Sequence, residues 1–211
     1  MKNAVVLKKF MLNALIVLGL SACSSVVELK YYQLPVPAAA SVNAVSHDAP
    51  VLIVEPVMVA NYLNTNALIL QTSQVELHRT QQHQWLEALD QQLNRILVSE
   101  LQAKLTNMSV TTAEFAVKSA TPSAQRLVVQ IAEFHGTEQG IIILSGRYSW
   151  LGGSEGGVQL RQFRIELPQP EEGYPSMVQT MGAAVSKLSE QIAEQLQSHQ
   201  QSSQLTPSAS K

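Results

Sequence analysis

Among the residues of the sequence, Cys23 has the most clearly predicted chemical role. It follows Leu20-Ser21-Ala22 and an almost wholly apolar run over residues 10–20, behind a basic N-terminus with no acidic residue before Glu28. This run is too short to span a bilayer, which needs about 20 apolar residues, but it is typical of a secretory signal. The alternative is an ordinary signal peptide that happens to end near a cysteine. We predict a signal peptide over residues 1–22, with an S-linked diacylglycerol and an N-acyl chain on Cys23.

The position of Cys23 also predicts where the mature chain is held. Three acyl chains exceed the two anchoring signals that stable membrane attachment needs. Ser24, and not an aspartate, follows the cysteine, which under the known sorting of lipoproteins predicts the periplasmic face of the outer membrane. Cys23 is the single cysteine of the chain. After lipidation no thiol therefore remains for a disulfide, a nucleophile or a metal site.

A second sequence with catalytic potential is Gly152-Gly153-Ser154-Glu155-Gly156, which fits the G-x-S-x-G pattern of hydrolases. That motif works only at a sharp strand-to-helix turn, which lifts the serine above a parallel sheet. Residues 158–167 have the pattern of a strand, so the glycines indicate a hairpin loop instead. We therefore predict no nucleophile at Ser154.

The remaining polar residues also lack a catalytic or metal-binding pattern. None of the histidines forms H-x-x-x-H or H-E-x-x-H, and Glu171 and Glu172 are interpreted as solvated charges before a helix. Removal of residues 1–22 takes away three lysines and no acid, so the formal charge falls from −2 to −5, which argues against nucleic-acid binding. We expect no catalytic residue, metal or cofactor, and a protein that is not an enzyme. The histidines are His47, His78, His83, His135 and His199.

Composition divides the mature chain into three parts. Residues 23–49 are predicted to be the lipidated N-terminus and a tether, since 35–49 contains two prolines and mostly small residues. Residues 198–211 are rich in Ser and Gln and are predicted to be a disordered tail. Residues 50–197 are long enough for one α+β periplasmic domain with a single core.

Within this domain, strand and helix periodicities alternate. Residues 51–59, 67–72 and 75–80 indicate strands, the first interrupted by Pro56. Apolar residues at helical spacing then predict a helix that is opened by Trp85, interpreted as a core anchor.

After this helix the pattern returns to strands and then to a second helix. Residues 136–140 predict a hairpin turn between two of the strands. The second helix is expected to begin near Pro175 or Ser176. The order predicts a two-layer α+β sandwich, in which two amphipathic helices cover one face of a mainly antiparallel sheet.

Several short segments follow Cys23 in an order that resembles a known family. They are Tyr31-Tyr32-Gln33-Leu34-Pro35, Val59-Ala60-Asn61-Tyr62-Leu63, Ile69-Leu70-Gln71-Thr72 and His83-Gln84-Trp85-Leu86-Glu87-Ala88-Leu89. This order resembles the ABC-type transport auxiliary lipoproteins, and within them the paraquat-inducible branch. The resemblance covers essentially the whole mature domain. Ala88 departs from it, because members often have a proline before this leucine.

The resemblance implies a non-enzymatic companion of lipid-transport machines that are built around MCE-domain proteins, which form hexameric rings or tubes across the periplasm. This lipoprotein would dock the distal end of such a tube at the outer membrane, and a ring of several copies is compatible with that partner. Alternatives are a periplasmic carrier that shields an acyl chain between sheet and helices, and a structural lipoprotein that assists outer-membrane assembly. The sequence leaves open whether Tyr31 and Tyr32 contact lipid or pack on the domain.

Overall fold

A computed structural model describes residues 28–36, 49–116, 124–151 and 158–205, which form a mixed α/β fold with three α-helices and a mixed sheet. The strands are β1 (Lys30–Tyr32), β2 (Val51–Val54), β3 (Met58–Val59), β4 (Ala67–Gln71), β5 (Leu77–Trp85), β6 (Ser109–Thr112), β7 (Gln125–Thr137), β8 (Ile141–Leu151) and β9 (Gln159–Pro168). The helices are α1 (Leu89–Lys104), α2 (Ala113–Ala116) and α3 (Tyr174–Leu205), with a 3-10 turn at Asn61–Leu63. Within these ranges no helix combines the length and the apolarity needed to cross a membrane.

The long strand β7 organises the sheet, because three short strands pair with successive parts of one of its edges. β2 pairs with its start, β3 with its middle and β4 with its end, all in parallel. On its other edge, β8 and then β9 follow in antiparallel orientation. β6 extends β2, while β5 and then β1 extend β4. The path β1-β5-β4-β7-β8-β9 therefore runs from β1 at one edge to β9 at the other.

The predicted mainly antiparallel sheet is not confirmed, because the sheet is mixed. The pairs β1–β5, β2–β6, β2–β7, β3–β7 and β4–β7 are parallel, whereas β4–β5, β7–β8 and β8–β9 are antiparallel. Parallel neighbours are joined by long crossover connections and carry no turn signal in the sequence. The hairpin between β7 and β8, which does carry a turn signal, lies at the predicted position.

Trp85 ends strand β5 and does not open a helix, so this part of the prediction is wrong. Its N–H donates to the carbonyl oxygen of Asn66 at 2.6 Å, and it lies opposite Tyr32 in the β1–β5 pair. The helix begins four residues later, at Leu89. The polar residues of β5 carry little strand propensity, which is why the predicted strand is too short. The side chain of Trp85 is buried in the core, which confirms the predicted anchor role.

The two long helices pack against each other and against the sheet through the stripes that their spacing predicted. α1 contacts β2, β3 and β6, while α3 contacts β7, β8 and β9. Burial of each Leu or Ile side chain stabilises the fold by about 1.5–3 kcal/mol. α3 continues to Leu205, within the segment 198–211 whose composition predicts a disordered tail. The buried stripes are Leu89, Leu93, Ile96, Leu97 and Leu101 in α1, and Met177, Met181, Val185, Leu188, Ile192 and Leu196 in α3.

Candidate membrane-proximal site

The chain enters the described fold at β1, seven residues after Cys23. Cys23 itself, like the rest of 1–27, lies outside the described residues. A polypeptide advances by at most about 3.3–3.6 Å per residue, so Lys30 lies no farther than about 25 Å from Cys23 in any conformation. With a lipid on Cys23, β1 would be the element nearest to the membrane along the chain.

Three aromatic rings join β1 to the rest of the domain. The hydroxyl of Tyr32 lies 2.8 Å from Nδ1 of His83 in β5. His83 in turn stacks on Tyr174 in the first turn of α3, with 3.7 Å between ring centroids and 23° between ring planes. The ring of Tyr32 also approaches that of Tyr174, at 6.5 Å. This aromatic cluster holds β1, β5 and the start of α3 together.

The contact between Tyr32 and His83 carries no formal charge at neutral pH. Burial, and then the nearby Lys30, hold the pKa of His83 below its usual 6.5. Burial, and then Tyr174, raise the pKa of Tyr32 above its usual 10. Both groups are therefore neutral near pH 7, and the contact is one of packing and hydrogen bonding.

The residues that follow Tyr32 are held between α1 and α3. Leu34 is buried in the core, and its N–H donates to Oε1 of Gln92 at 2.8 Å. The side chain of Gln92 is itself fully buried, and its Nε2 donates to the carbonyl oxygen of Glu87 at 2.9 Å. Pro35 lies against Gly182 of α3, where an added Cβ would come within 2.7 Å of Cδ of Pro35. Only a residue without a side chain leaves room for the proline ring.

These contacts bring part of the segment 23–49 into the folded domain. That segment is predicted to be the lipidated N-terminus and tether, yet β1 and Leu34 pack with the core. Residues 37–48 lie outside the described residues. The chain is therefore fixed to α1 and α3 before it reaches β2.

The two neighbouring tyrosines of β1 differ in their surroundings. Tyr32 packs on the domain through the aromatic cluster, whereas Tyr31 is 56% exposed. Successive side chains of a strand point to opposite faces of the sheet. Since Tyr32 faces α3, Tyr31 points to the opposite face.

A different set of side chains lies near the β9 edge. The carboxylate of Glu133 accepts hydrogen bonds from the hydroxyl of Ser145 at 2.6 Å and from Nη1 of Arg164 at 2.5 Å. Arg164 also donates through Nε to Glu166 at 2.7 Å. The Ser145 hydrogen bond, followed by the charge of Arg164, holds the pKa of Glu133 below its usual value despite partial burial. We call Glu133, Arg164 and Glu166 the β9 ion network.

His135 is a neighbour of Glu133 in the β9 ion network. It is almost fully buried, and its Nε2 is 3.9 Å from Oε1 of Glu133. Burial holds the pKa of His135 below 6.5, against the opposing effects of the carbonyl of Gly136 and of Glu133. His135 is therefore neutral at pH 7 and does not form an ion pair there.

A groove of about 630 Å³ lies where α1, α2 and the β2–β3 connection meet. Its lining combines apolar and charged side chains, so it could receive an apolar group whose end is polar. The apolar residues include Val54, Val57 and Val98, and the charged ones are Asp90, Arg95 and Glu114.

The other residues considered in the sequence can be placed only in part. Residues 152–156 and His47 lie outside these ranges, so the hairpin-loop prediction stays a prediction. No group of three or more His, Cys, Asp or Glu in the described part of the chain could hold a metal ion. His199 lies beside Trp150, with 6.2 Å between ring centroids.

Sequence reasoning missed Gln92 and Gly182, although both carried a signal. Gln92 stands three residues after Leu89 on the apolar stripe of α1, where a polar side chain must find partners once buried. Gly182 stands in the interior of a helix, where glycine is unfavourable unless something approaches closely. Neither signal identifies the partner, because Leu34 and Pro35 lie far away in the sequence.

Comparison with known proteins gives a consistent picture. The family model described as "ABC-type transport auxiliary lipoprotein component" matches residues 32–193. The match begins at Tyr32, so it includes Leu34 and Pro35. The Intermembrane transport lipoprotein PqiC of Escherichia coli K12 is 33% identical over 180 residues, which are 85% of this chain and 92% of that protein. The protein of the same name from Shigella flexneri matches equally well.

Solved structures agree on the fold. An uncharacterised protein of known crystal structure is 29% identical, with a TM-score of 0.68, and the alignment covers 80% of this chain and 99% of that one. A protein from Xanthomonas campestris has a TM-score of 0.63 at 16% identity, covering 83% of this chain and 99% of that one. The second likeness extends to the fold alone.

Proposed function

The chain belongs to the ABC-type transport auxiliary lipoprotein family, and we propose that it is the outer-membrane docking component of an intermembrane lipid transport system built around an MCE-domain protein. This is a family of transport auxiliary lipoproteins and not a family of enzymes. Its relative from Escherichia coli is named for intermembrane transport. In this proposal the domain performs no catalysis and acts by holding a partner near a membrane.

The proposed anchor is the lipid on Cys23, exposed by cleavage of the signal peptide at residues 1–22. The mature chain is held at the periplasmic face of the outer membrane, because Ser24 follows the cysteine. Residues 50–197, together with β1 and Leu34, form the periplasmic domain. Support comes from the signal-like N-terminus and from the family description, which names a lipoprotein.

The observation that carries the docking role is the fixation of the chain directly after the anchor. Leu34 and Pro35 are held between α1 and α3 by Gln92 and Gly182. Since β1 begins seven residues after Cys23, the domain stays within about 25 Å of its anchor along the chain. A carrier that crosses the periplasm needs a long reach, whereas a docking subunit needs a fixed distance from the membrane.

The β9 edge is the part of the sheet best suited to a protein partner. β9 pairs only with β8 among the described residues, and its ten residues leave one edge of backbone groups without a strand neighbour. In the strand path it is five strand spacings of about 4.8 Å from β1, which is up to about 24 Å. Its exposed side chains include Leu160 and the charged Arg164 and Glu166. A partner could pair with this edge or meet its charges.

A lipid carrier is the second candidate, and the groove at α1 and α2 is the observation that favours it. Its apolar lining, which includes Val57 and Val98, could contact part of an acyl chain. Native mass spectrometry of the purified protein separates the two functions. Phospholipid that copurifies in fixed stoichiometry supports the carrier, and a mass without lipid beyond the anchor supports docking.

Site-specific photo-crosslinking in intact envelopes tests the docking proposal. A photoreactive residue replaces either Leu160 at the β9 edge or Leu86 near the β1 edge, which are 56% and 62% exposed and so form a matched pair. We expect position 160 to crosslink an MCE-domain protein, and Cys23→Ala to abolish that product. Crosslinks between copies of this chain would indicate a ring of several copies. Absence of the MCE protein at both positions, with phospholipid bound, would refute docking in favour of the carrier.

A further inference from the structure

We propose that the lipid bilayer is a direct binding partner of the folded domain, through a patch formed by Leu29, Tyr31 and Leu86 at the β1 edge. We call these three residues the membrane patch. The inference rests on the proposed lipidation of Cys23 and goes beyond the docking function, because it fixes which side of the domain faces the membrane. The protein would then contact the membrane in two ways, through the acyl anchor and through these three side chains.

The three side chains lie on one face of the sheet. Tyr31 points away from α3, since its neighbour Tyr32 contacts Tyr174 there. Leu29 immediately precedes β1 and stands two residues before Tyr31, the spacing that places side chains on one face of an extended chain. The N–H of Leu86 donates to the carbonyl oxygen of Tyr32 at 2.8 Å, which extends the β1–β5 pairing by one residue.

The pairing register then brings Leu86 to the same face. Gln84 is the partner of Tyr31 across the two strands, and Leu86 is two residues farther along. Diagonal neighbours of this kind are about 7–8 Å apart, within reach of an aromatic side chain. Leu29, Tyr31 and Leu86 thus form one patch at the edge of the sheet.

The patch is exposed, and its surroundings suit a lipid surface. The exposed fractions are 46% for Leu29, 56% for Tyr31 and 62% for Leu86. Single exposed apolar side chains are ordinary on protein surfaces, but neighbours on one face are less so. A tyrosine ring is apolar with a polar end, and it favours the level of the lipid headgroups.

Charges around the patch do not oppose this contact. The neighbours on the same face of β5 and β4 are the uncharged Gln84 and Ala67. Glu87, which follows Leu86, is paired with Arg95 at 2.7 Å. Glu28 and Lys30 flank Leu29 and offset each other in charge. The formal charges of Glu28, Lys30, Glu87 and Arg95 beside the patch therefore sum to zero, so there is no net negative charge among them for anionic headgroups to repel.

The length of the chain before the patch identifies the bilayer as its occupant. Leu29 is six residues after Cys23, so it lies at most about 22 Å from the lipidated residue. The anchor keeps Cys23 at the membrane surface, and contact of the patch with lipid then becomes an intramolecular event at high effective concentration. Three apolar side chains suffice in this situation, although they would not hold an unanchored domain.

The chain offers a direct test, because Cys23 is its single cysteine and lipidation leaves no competing thiol. Leu86→Cys introduces a unique site for an environment-sensitive fluorophore, and Leu160→Cys at the β9 edge is the matched control. The lipidated full-length proteins are reconstituted in vesicles of phosphatidylethanolamine and phosphatidylglycerol. Brominated lipids then report contact with the bilayer by quenching.

We expect brominated lipid to quench the label at position 86 at least threefold more than the label at 160, with a blue-shifted emission. Adding Tyr31→Ser should reduce quenching at 86, while the control Val75→Ser, a substitution of a 95% exposed side chain, should not. Equal quenching at 86 and 160, or none at 86, would overturn the membrane contact.

Two further measurements separate this inference from its premises. Intact mass shows whether Cys23 is acylated, and pull-down with the Leu86→Cys protein shows whether an MCE-domain protein is recovered. Acylated protein that recovers the partner but shows no quenching at 86 contradicts the membrane patch alone. Quenching at 86 without a partner supports the patch and contradicts the docking role.

Discussion

The two edges of the sheet differ in how their side chains meet the surroundings. At the β1 edge, Leu29, Tyr31 and Leu86 are exposed, while Leu34, two residues after β1, is buried and bonded to Gln92 of α1. At the β9 edge, Arg164 donates hydrogen bonds to Glu166 and to Glu133 of β7. β1 follows Cys23 by seven residues, and β9 is five strand pairings away from β1 in the sheet.

The difference indicates how the domain divides two tasks. Exposed charges are well hydrated and costly to move into lipid, whereas leucine and tyrosine gain from leaving water. The β9 edge therefore suits an aqueous or protein environment, and the β1 edge suits a membrane.

The largest difference between the edges should appear when one leucine on each side is truncated. Leu34→Ala removes a side chain that is 1% exposed and should lower the free energy of unfolding by about 2–5 kcal/mol. Leu160→Ala removes one that is 56% exposed and should change it by less than about 0.5 kcal/mol. Urea denaturation of the mature protein in detergent measures both. Equal losses would mean that residues 32–35 do not contribute to the core.

The contact between Pro35 and Gly182 should behave as a coupled pair. Gly182→Ala places a Cβ within 2.7 Å of Cδ of Pro35 and should cost about 1–3 kcal/mol, although alanine favours helices. Pro35→Ala in the same protein should relieve most of that cost. A double-mutant cycle by urea denaturation gives the coupling free energy. A stabilising effect of Gly182→Ala alone would show that Pro35 is not seated there.

The partly buried His83 and the buried His135 should make the stability of the protein depend on pH. The pKa values of His83 and His135 both lie below 6.5 in the folded protein because of burial. As the pH falls below 6.5, the unfolded chain therefore binds more protons than the folded protein. The stabilisation of the fold by the two neutral histidines is present above pH 6.5 and is lost below it, by up to about 1.4 kcal/mol per pH unit for each histidine. His135→Gln should flatten this slope more than His83→Gln, since His135 is more deeply buried.

Urea titrations between pH 7.5 and 5 test this order. Glu133→Gln should instead extend the loss of stability to lower pH, because the carboxylate of Glu133 opposes the effect of burial on the pKa of His135. An unchanged slope in both histidine variants would contradict the assignment.

The smallest effect is expected in the β9 ion network. Arg164→Ala should destabilise the protein by no more than about 1 kcal/mol, since Arg164 and Glu133 are 50% and 37% exposed. The difference from the unchanged protein should shrink between 0.05 and 1 M salt as the charges are screened. Thermal unfolding at the two salt concentrations measures it. A destabilisation that salt does not reduce would show that the aliphatic part of the Arg164 side chain contributes by packing.

The predicted helices and the hairpin are confirmed because their signals are local. The stripes of α1 and α3 repeat at 3.6 residues, and Gly140 provides a positive φ of 71° at the β7–β8 turn. The prediction for Trp85 names the wrong element, because a buried aromatic residue suits a strand end as well as a helix start. The parallel pairing of β2, β3 and β4 with β7 escapes sequence reasoning, because it joins distant segments.

Features whose cause lies within a few residues can be read from the amino-acid sequence. The signal-like N-terminus, the single cysteine, the amphipathic helices and the family resemblance all follow from short stretches of the chain. The match to the family model confirms the resemblance.

Which of the two adjacent tyrosines packs on the domain and which is exposed depends instead on contacts with distant parts of the chain. The fold likewise places Leu34 in the core, bonded to Gln92 on α1, and sets Pro35 against Gly182 on α3. These contacts join segments 58 or more residues apart, and no periodicity within one segment specifies its distant partner. The exposed and buried faces of β1 are therefore set by the rest of the fold and not by its own three residues.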